Sequence, residues 1–365
     1  MDEVALLEGL LQHYSPTGHE AEAVNYLVAQ MQAAGLKAFV DEAGNAVGVA
    51  ALTGEGPATV MLLGHIDTVP GLIPVKREGD ILRGRGAVDA KGPLACFVSA
   101  VARVAHTANR NPVSADASRN QVSGNLKLVV VGAVGEEGDS RGAHFIKNKY
   151  RPDFTLIGEP SGWEKITLGY KGSAWFEYRV ARTLAHTSAQ NESACESAVN
   201  FWNRATQWAS ERNANAPKMF EQASPTLRGM NSGSDGFVET AALKFGVRLP
   251  PGLSVSELDT ALRDLAIEAE LTLVEGVPAY RAEKNTPLVR ALLAGIRAAC
   301  GAPGFTLKSG TSDMNLVAPL WGTPIVAYGP GDSALDHTPH EHILISEYQR
   351  AIEVLTGTLR RLPEV

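Results

Sequence analysis

Apolar residues recur at helical spacing through EVALLEGLLQHY (3–14) and EAEAVNYLVAQMQAAG (20–35), with Gly35 as the stop. Short continuous apolar runs follow. AVGVAAL (46–52) and ATVMLLGHI (58–66) read as strands closed by a glycine or a turn, and GPLACFVSAVARVAHTA (92–108) reads as a helix with proline near its start. LKLVVVGAV (126–134) and FTLIGEP (154–160) are further strands, each followed by acidic residues. Between helix and strand lies NRNPVSADASRNQVSGN (109–125), too hydrophilic to pack and long for a loop in a compact domain, which predicts an exposed, mobile connection. The alternation of helix and strand argues an open, mostly parallel α/β sheet, a class whose ligands gather beyond the carboxyl ends of the strands.

Near Gly169 the period changes. SAWFEYRVAR (173–182) alternates, a long helix runs through ESACESAVNFWNRATQWASER (192–212), and TAALKFGVRLPPG (240–252) alternates again. SVSELDTALRDLAIEAE (254–270) reads as a helix and LTLVEGV (271–277) as a strand. This predicts an α+β domain over 168–277, inserted as a lid into a discontinuous α/β domain made of 1–167 and 278–365. The α/β style resumes with TPLVRALLAGIRAAC, GTPIVAYGP and a terminal helix.

Composition narrows the function classes. Of 365 residues, 20% are charged and 44% hydrophobic, the balance of an ordinary soluble protein, and the net charge of −7 gives no reason to expect nucleic acid or an anionic membrane as partner. No apolar stretch approaches the roughly 18 residues of a membrane helix, and the acidic, amphipathic start is unlike a secretion signal. Cys96, Cys195 and Cys300 form no metal-spaced set, which predicts buried thiols in a reducing cytoplasm.

Chemistry concentrates at strand ends and turns. His65 and Asp67 follow one strand, Glu136 and Glu137 another, and Glu159 a third; Asp89 lies in RGRGAVDAKGP, and DHTPHEHI offers His337, His340 and His342. Adjacent glutamates repel each other and resist burial, so either they face water or something positive holds them. Each residue has a plain alternative: a structural histidine, a solvated turn, or, for Asp89, a helix cap. Together, histidines and carboxylates without cysteine suit catalytic zinc, and an excess of carboxylates suits two ions sharing a ligand. By pattern alone, coincidence stands level with a metal site.

The segments GHIDTVPG, GRGAVDAKGPLA, GEEGDSRGA, GEPS and DHTPHE, in this order over nearly the whole chain, resemble the successive motifs of the dinuclear zinc amidohydrolases. That family includes aminoacylase, acetylornithine deacetylase, succinyl-diaminopimelate desuccinylase and glutamate carboxypeptidase. GEPSGWEKITLGYKG and KSGTSDMN are most similar to members that release lysine or ornithine from an amino-group carrier protein. The resemblance implies two zinc ions, with cobalt as a possible substitute: Asp89 bridging, His65 and Glu159 on one ion, Glu137 and His337 on the other. It implies Asp67 as the partner that fixes the His65 ring, Glu136 as general base, and a cis peptide after Asp89. His340 and His342 fall outside the ligand set.

For the inserted domain the resemblance implies a homodimer in which His186, in LAHTSAQNESA, reaches the scissile carbonyl of the other subunit. Arg248 in VRLPPG is placed to bind a substrate carboxylate, and Thr311, Ser312 and Gly329 to line the leaving-group pocket. Many relatives carry Asn-x-Ile-Pro before the strand bearing the arginine; here Asp235 stands in roughly that place without a proline, so Asp235 or Asp313 is a candidate partner for a basic product's ammonium, with a plain turn role for Asp235 as the alternative. An acidic carrier as substrate would want basic surface, for which KNKYR (147–151) and YRAEKN (280–285) are candidates. The competing readings are a small-molecule deacylase or a peptidase with the same ions and base, and a binding protein that has kept only the fold.

Overall fold

Three glycines stand side by side on the central strands: Gly64 on Ala58–His65, Gly132 on Leu126–Ala133 and Gly158 on Phe154–Gly158. These strands run parallel, the middle one being Ala58–His65, and Ile325–Ala327 joins parallel to Phe154–Gly158. Antiparallel strands flank this parallel centre: Ala46–Leu52 and Lys37–Val40 beyond Leu126–Ala133, and Lys165–Tyr170 beyond Ile325–Ala327. The near-continuous burial of Ala58–His65 and Leu126–Ala133 explains their unbroken apolar sequences, as expected for strands covered on both faces. The computed structural model describes residues 1–52, 58–110, 126–188 and 190–362.

The glycine row admits the helix Lys91–Arg110 closely. A Cβ at Gly64 would lie 3.4 Å from the Leu94 Cβ, one at Gly132 3.1 Å from the Leu94 Cδ2, and one at Gly158 3.0 Å from the Phe97 ring. Leu94, Phe97, Val98, Val101 and Val104 are fully buried along this helix. Its last residues take in positions 109–110 of the predicted loop; 111–125 lie outside the described residues.

By contact the chain divides into two units. The first is Met1–Leu168 with Ala282–Thr306 and Ser312–Val365; the second is Gly169–Arg281 with Leu307–Thr311. The fold class is therefore α/β with a mostly parallel sheet, interrupted by an α+β insertion. In the second unit an antiparallel sheet, in the order Ser224–Ser234, Val238–Leu249, Gly172–Thr183, Glu270–Val277, carries the helices Ala194–Asn213 and Val255–Leu265. Phe176, Tyr178, Val180, Leu243, Phe245 and Val247 alternate inward and meet Phe201, Leu258 and Leu262 of the helices. Each helix opens on a capping box, Ser193 with Glu196 and Ser254 with Glu257.

Three features depart from the sequence reading. The strand Ser224–Ser234 was not expected, because SPTLRGMNSGS is exposed along much of its length and lacks an apolar alternation; pairing to Val238–Leu249 makes it a strand. The helix read over 254–270 stops at Leu265, and Glu268 takes the left-handed φ of 51° before the next strand begins. Cys195 and Cys300 are exposed rather than buried; Cys96 alone is buried, in the helix that packs on the glycine row. No helix among the described residues is long and apolar enough to cross a membrane.

Candidate metal centre

The three parallel strands open at one end onto turns that carry the charged residues. His65 is the last residue of its strand, Glu136 and Glu137 sit in the turn after Leu126–Ala133, and Glu159 directly follows Phe154–Gly158. Asp89 precedes the helix that starts at Lys91, and the Asp89–Ala90 peptide is cis. His337 comes from far downstream, in a turn after the short helix Ser333–Leu335, with the left-handed φ of 61°.

Asp89 lies between the two histidines. Its Oδ1 is 3.2 Å from His65 Nε2 and its Oδ2 is 3.0 Å from His337 Nε2. His337 Nε2 is also 2.9 Å from Glu137 Oε1, and His65 Nε2 is 4.0 Å from Glu136 Oε2. Asp67 is fully buried behind them. Its Oδ1 accepts the Glu136 N–H at 3.0 Å, its Oδ2 accepts the Glu137 N–H at 3.1 Å and the Thr17 hydroxyl at 2.8 Å, and its Oδ1 stands 3.6 Å from His65 Nδ1.

The electrostatics are those of a crowded acid cluster. Burial, reinforced by Glu159, Asp313 and Glu137, pushes the Glu136 carboxyl well above the usual range. Burial and the neighbouring Asp89 do the same to Glu159, and burial raises Glu137 against the pull of His337. Burial lifts Asp313, whose Oδ1 has no hydrogen-bond partner, to about 7. Hydrogen bonds to Asp89 and Glu137 hold His337 up at about 10. Burial opposes the charge on His65, but Glu136, Asp67 and Asp89 raise it well above its ordinary value. Among the described residues, the ion pairs that reach Asp89, Glu136 and Glu137 come from these two histidines.

Such a cluster fits metal cations. His65, Asp89 and Glu137 offer ligand atoms that all lie within 4.8 Å of one another. The donors are imidazole nitrogens and carboxylate oxygens without thiolate, a set suited to catalytic zinc and open to cobalt. Divalent charge would also favour the ionised forms of Glu136, Glu137 and Glu159, which burial and then their mutual repulsion disfavour.

The remaining candidates fall in different places. Ser312 caps the helix Asp313–Trp321, its hydroxyl accepting the Met314 N–H, and Asp313 begins that helix, buried. Gly329 is packed so tightly that a Cβ would meet Pro93 at 2.6 Å and the Glu159 carbonyl at 2.8 Å. In the second unit Arg248 donates to the Thr311 hydroxyl at 3.2 Å, and His186 is exposed with Nδ1 2.8 Å from the Ser188 hydroxyl. Asp235 lies at the tip of the hairpin after Ser224–Ser234, where its carboxylate accepts the N–H groups of Phe237 and Val238, the geometry of a plain turn. His340 is exposed, and His342 sits on the strand His342–Leu344 with Nδ1 on the His340 carbonyl.

Sequence reading missed residues that hold the centre together. Glu341 accepts the Val88 and Asp89 N–H groups, and Arg85 donates to Glu341. Lys91, fully buried and brought down by burial to about 7, donates to the Leu10 and His13 carbonyls. A glutamate one residue beyond His340 and a lysine two beyond Asp89 were visible, but nothing in a sequence says that a charge is buried.

Comparison with known proteins agrees with the fold. The chain is 43% identical over 355 residues to the [LysW]-lysine hydrolase of Deinococcus radiodurans, covering 95% of this chain and 93% of that one. Among solved structures, the M20 family metallo-carboxypeptidase Sso-CP2 of Sulfolobus solfataricus aligns with a TM-score of 0.76 at 19% identity, covering 100% of this chain and 99% of that one. The YXEP protein of Bacillus subtilis, described as a dinuclear metal binding peptidase from the M20 family, aligns with a TM-score of 0.72 at 11% identity, over 98% and 96%. Residues 61–361, which span the strand ends, the turns and the downstream histidine, match the peptidase family M20/M25/M40, and the chain belongs to that family.

Proposed function

We propose that the protein hydrolyses the amide bond joining lysine, or ornithine, to the terminal glutamate of an acidic amino-group carrier protein, a step of lysine or arginine biosynthesis in the cytoplasm. The observation that carries the reading is Glu136, a partly buried carboxyl 4.0 Å from His65 in a two-histidine, multi-carboxylate cluster, in a chain 43% identical to a [LysW]-lysine hydrolase. His65, Asp89 and Glu159 would hold one zinc ion and Asp89, Glu137 and His337 a second, with cobalt as substitute; the placement of Asp89, one oxygen toward each histidine, supports the shared role. When bound, the ions supply Lewis acidity toward the amide carbonyl and toward water.

The chain's own residues do the rest. Glu136 takes a proton from the attacking water and returns it to the departing amine. Asp67 holds the turn that carries Glu136 and Glu137 by both their amides, and orients the His65 ring through its backbone carbonyl, 3.1 Å from Nδ1, with its carboxylate 3.6 Å from the same nitrogen. We assign the metal chemistry to a discontinuous catalytic domain, 1–167 and 278–365, and dimerisation to the inserted domain, 168–277. From the inserted domain, Arg248 binds a substrate carboxylate with Thr311 beside it, and His186 of the partner subunit stabilises the oxyanion. Ser312, Asp313 and Gly329 line the leaving-group side, and Asp313 is a partner for the product ammonium.

The test is kcat/KM of the zinc-loaded protein on a lysine-conjugated carrier, beside N-acetylornithine and free glutamyl-lysine isopeptide. A preference for the conjugate of about 100-fold, about 2.7 kcal/mol in transition-state binding, is expected. Equal turnover of the small substrates would make the protein a small-molecule deacylase, and no turnover of any of them would leave a binding protein.

A further inference from the structure

Glu341, 1% exposed, holds two loops of the metal centre at once. Its Oε1 accepts the N–H of Val88 at 2.9 Å and of Asp89 at 3.1 Å, and its Oε2 accepts Arg85 Nη1 at 2.9 Å. Arg85 is 7% exposed. Its Nη1 also donates to the Thr338 carbonyl at 3.2 Å, next to His337, and its Nε donates to the Gly71 carbonyl at 2.9 Å. The register of the strand His342–Leu344 against Ile81–Arg83, with His342 opposite Arg83, brings Glu341 beside the residues that follow Arg83. One buried pair thus grips the backbone at Asp89 on one side and beside His337 on the other, and those two side chains meet at 3.0 Å.

We propose that Glu341, acting with Arg85, is a positioning residue that sets the separation of Asp89 and His337 and so the geometry of the second metal position. The inference rests on the metal reading of the cluster. A buried ion pair is a poor source of net stability, because desolvating both charges offsets much of their attraction. Holding a loop is another matter: an acceptor that carries two successive backbone N–H groups cannot move without stranding buried donors. The residues this pair holds are the ones whose mutual placement metal binding needs, and groups behind metal ligands commonly alter affinity by about 10–100-fold.

The experiment measures zinc affinity by chelator competition, and the visible spectrum of the cobalt-loaded protein, for the wild type, Glu341→Ala, Glu341→Gln and Arg85→Met. The wild type is expected to bind two ions. Glu341→Ala is expected to lose at least tenfold in affinity for one of them and to change the cobalt spectrum. Glu341→Gln keeps a carbonyl for the Val88 and Asp89 amides but turns a donor toward Arg85, so it and Arg85→Met should fall between wild type and Glu341→Ala. Should Glu341→Ala fail to fold, the other two variants decide. Folded variants with lowered thermal midpoints but unchanged affinity and spectrum would overturn the positioning role and leave the metal reading standing. A wild type that binds no metal would overturn both.

Discussion

His337 and Glu137, two hundred residues apart in sequence, meet with Nε2 and Oε1 2.9 Å apart, and Asp89 touches the same ring nitrogen at 3.0 Å. In the metal-free protein this arrangement stores a proton. His337 keeps its charge in the fold up to about pH 10, whereas its ordinary pKa is 6.5. The folded state therefore binds the extra proton between those values, so the stabilisation is complete below about 6.5 and is lost as pH rises toward about 10. Metal requires the neutral ring. Thermal midpoints measured with a chelator should fall as pH rises through this window, and those with saturating zinc should lack that His337-linked fall. Parallel curves would show that His337 is not a ligand.

Glu136 and Glu137 should separate cleanly on substitution. Glu136→Gln is expected to lower kcat by about 10²–10⁴-fold while the metal content and KM stay near wild type. Glu137→Gln is expected to lose about one equivalent of metal. Atomic absorption after dialysis, together with steady-state kinetics, checks both; equal metal loss in the two variants would refute the division of roles.

Asp67 acts at one remove. Asp67→Asn keeps the shape but leaves one oxygen where both amides and the Thr17 hydroxyl now find acceptors. A loss of about 10–100-fold in metal affinity or activity is expected, measured by chelator competition. A Thr17→Val variant, which removes one of those bonds, should show a smaller loss in the same direction.

Gly142 tests the turn's support. Asn45, fully buried, accepts the Val134 N–H at 3.0 Å and donates to the Gly142 carbonyl at 3.3 Å. A Cβ at Gly142 would lie 2.3 Å from Asn45 Oδ1 and 2.6 Å from the Val134 nitrogen. Gly142→Ala should cost about 1–3 kcal/mol of stability by overpacking, read by calorimetry. An unchanged midpoint would show that the turn has room to adjust.

Much of the first unit was legible because its strands are buried on both faces and so spell themselves as unbroken apolar runs, with polar chemistry starting where each run stops. His65, Glu136, Glu137 and Glu159 could be placed at a common end for that reason. The meeting of Asp89 with His337 could not be read from periodicity, since nothing local in DHTPHEHI points to a residue some 250 positions earlier; the ordered motifs supplied that expectation. The strand Ser224–Ser234 stayed hidden because its partner, not its own side chains, makes it a strand. Glu341 stayed hidden because a glutamate's burial depends on the amides that receive it.

The glycine row carries a last consequence. The helix that begins two residues after Asp89 rests on Gly64, Gly132 and Gly158, and the strands that own those glycines end in His65, in the Glu136–Glu137 turn and at Glu159. The gap across which Asp89 faces the other donors is therefore fixed by side chains that are missing. A methyl group added at Gly132 would stand 3.1 Å from Leu94 and one at Gly158 3.0 Å from the Phe97 ring, so helix or strand must yield by a few tenths of an ångström while every ligand keeps its identity; one at Gly64 would meet Leu94 at an ordinary 3.4 Å. The spacing of the donors is thus a property of residues that never touch an ion, and inspection of the ligands alone does not read it.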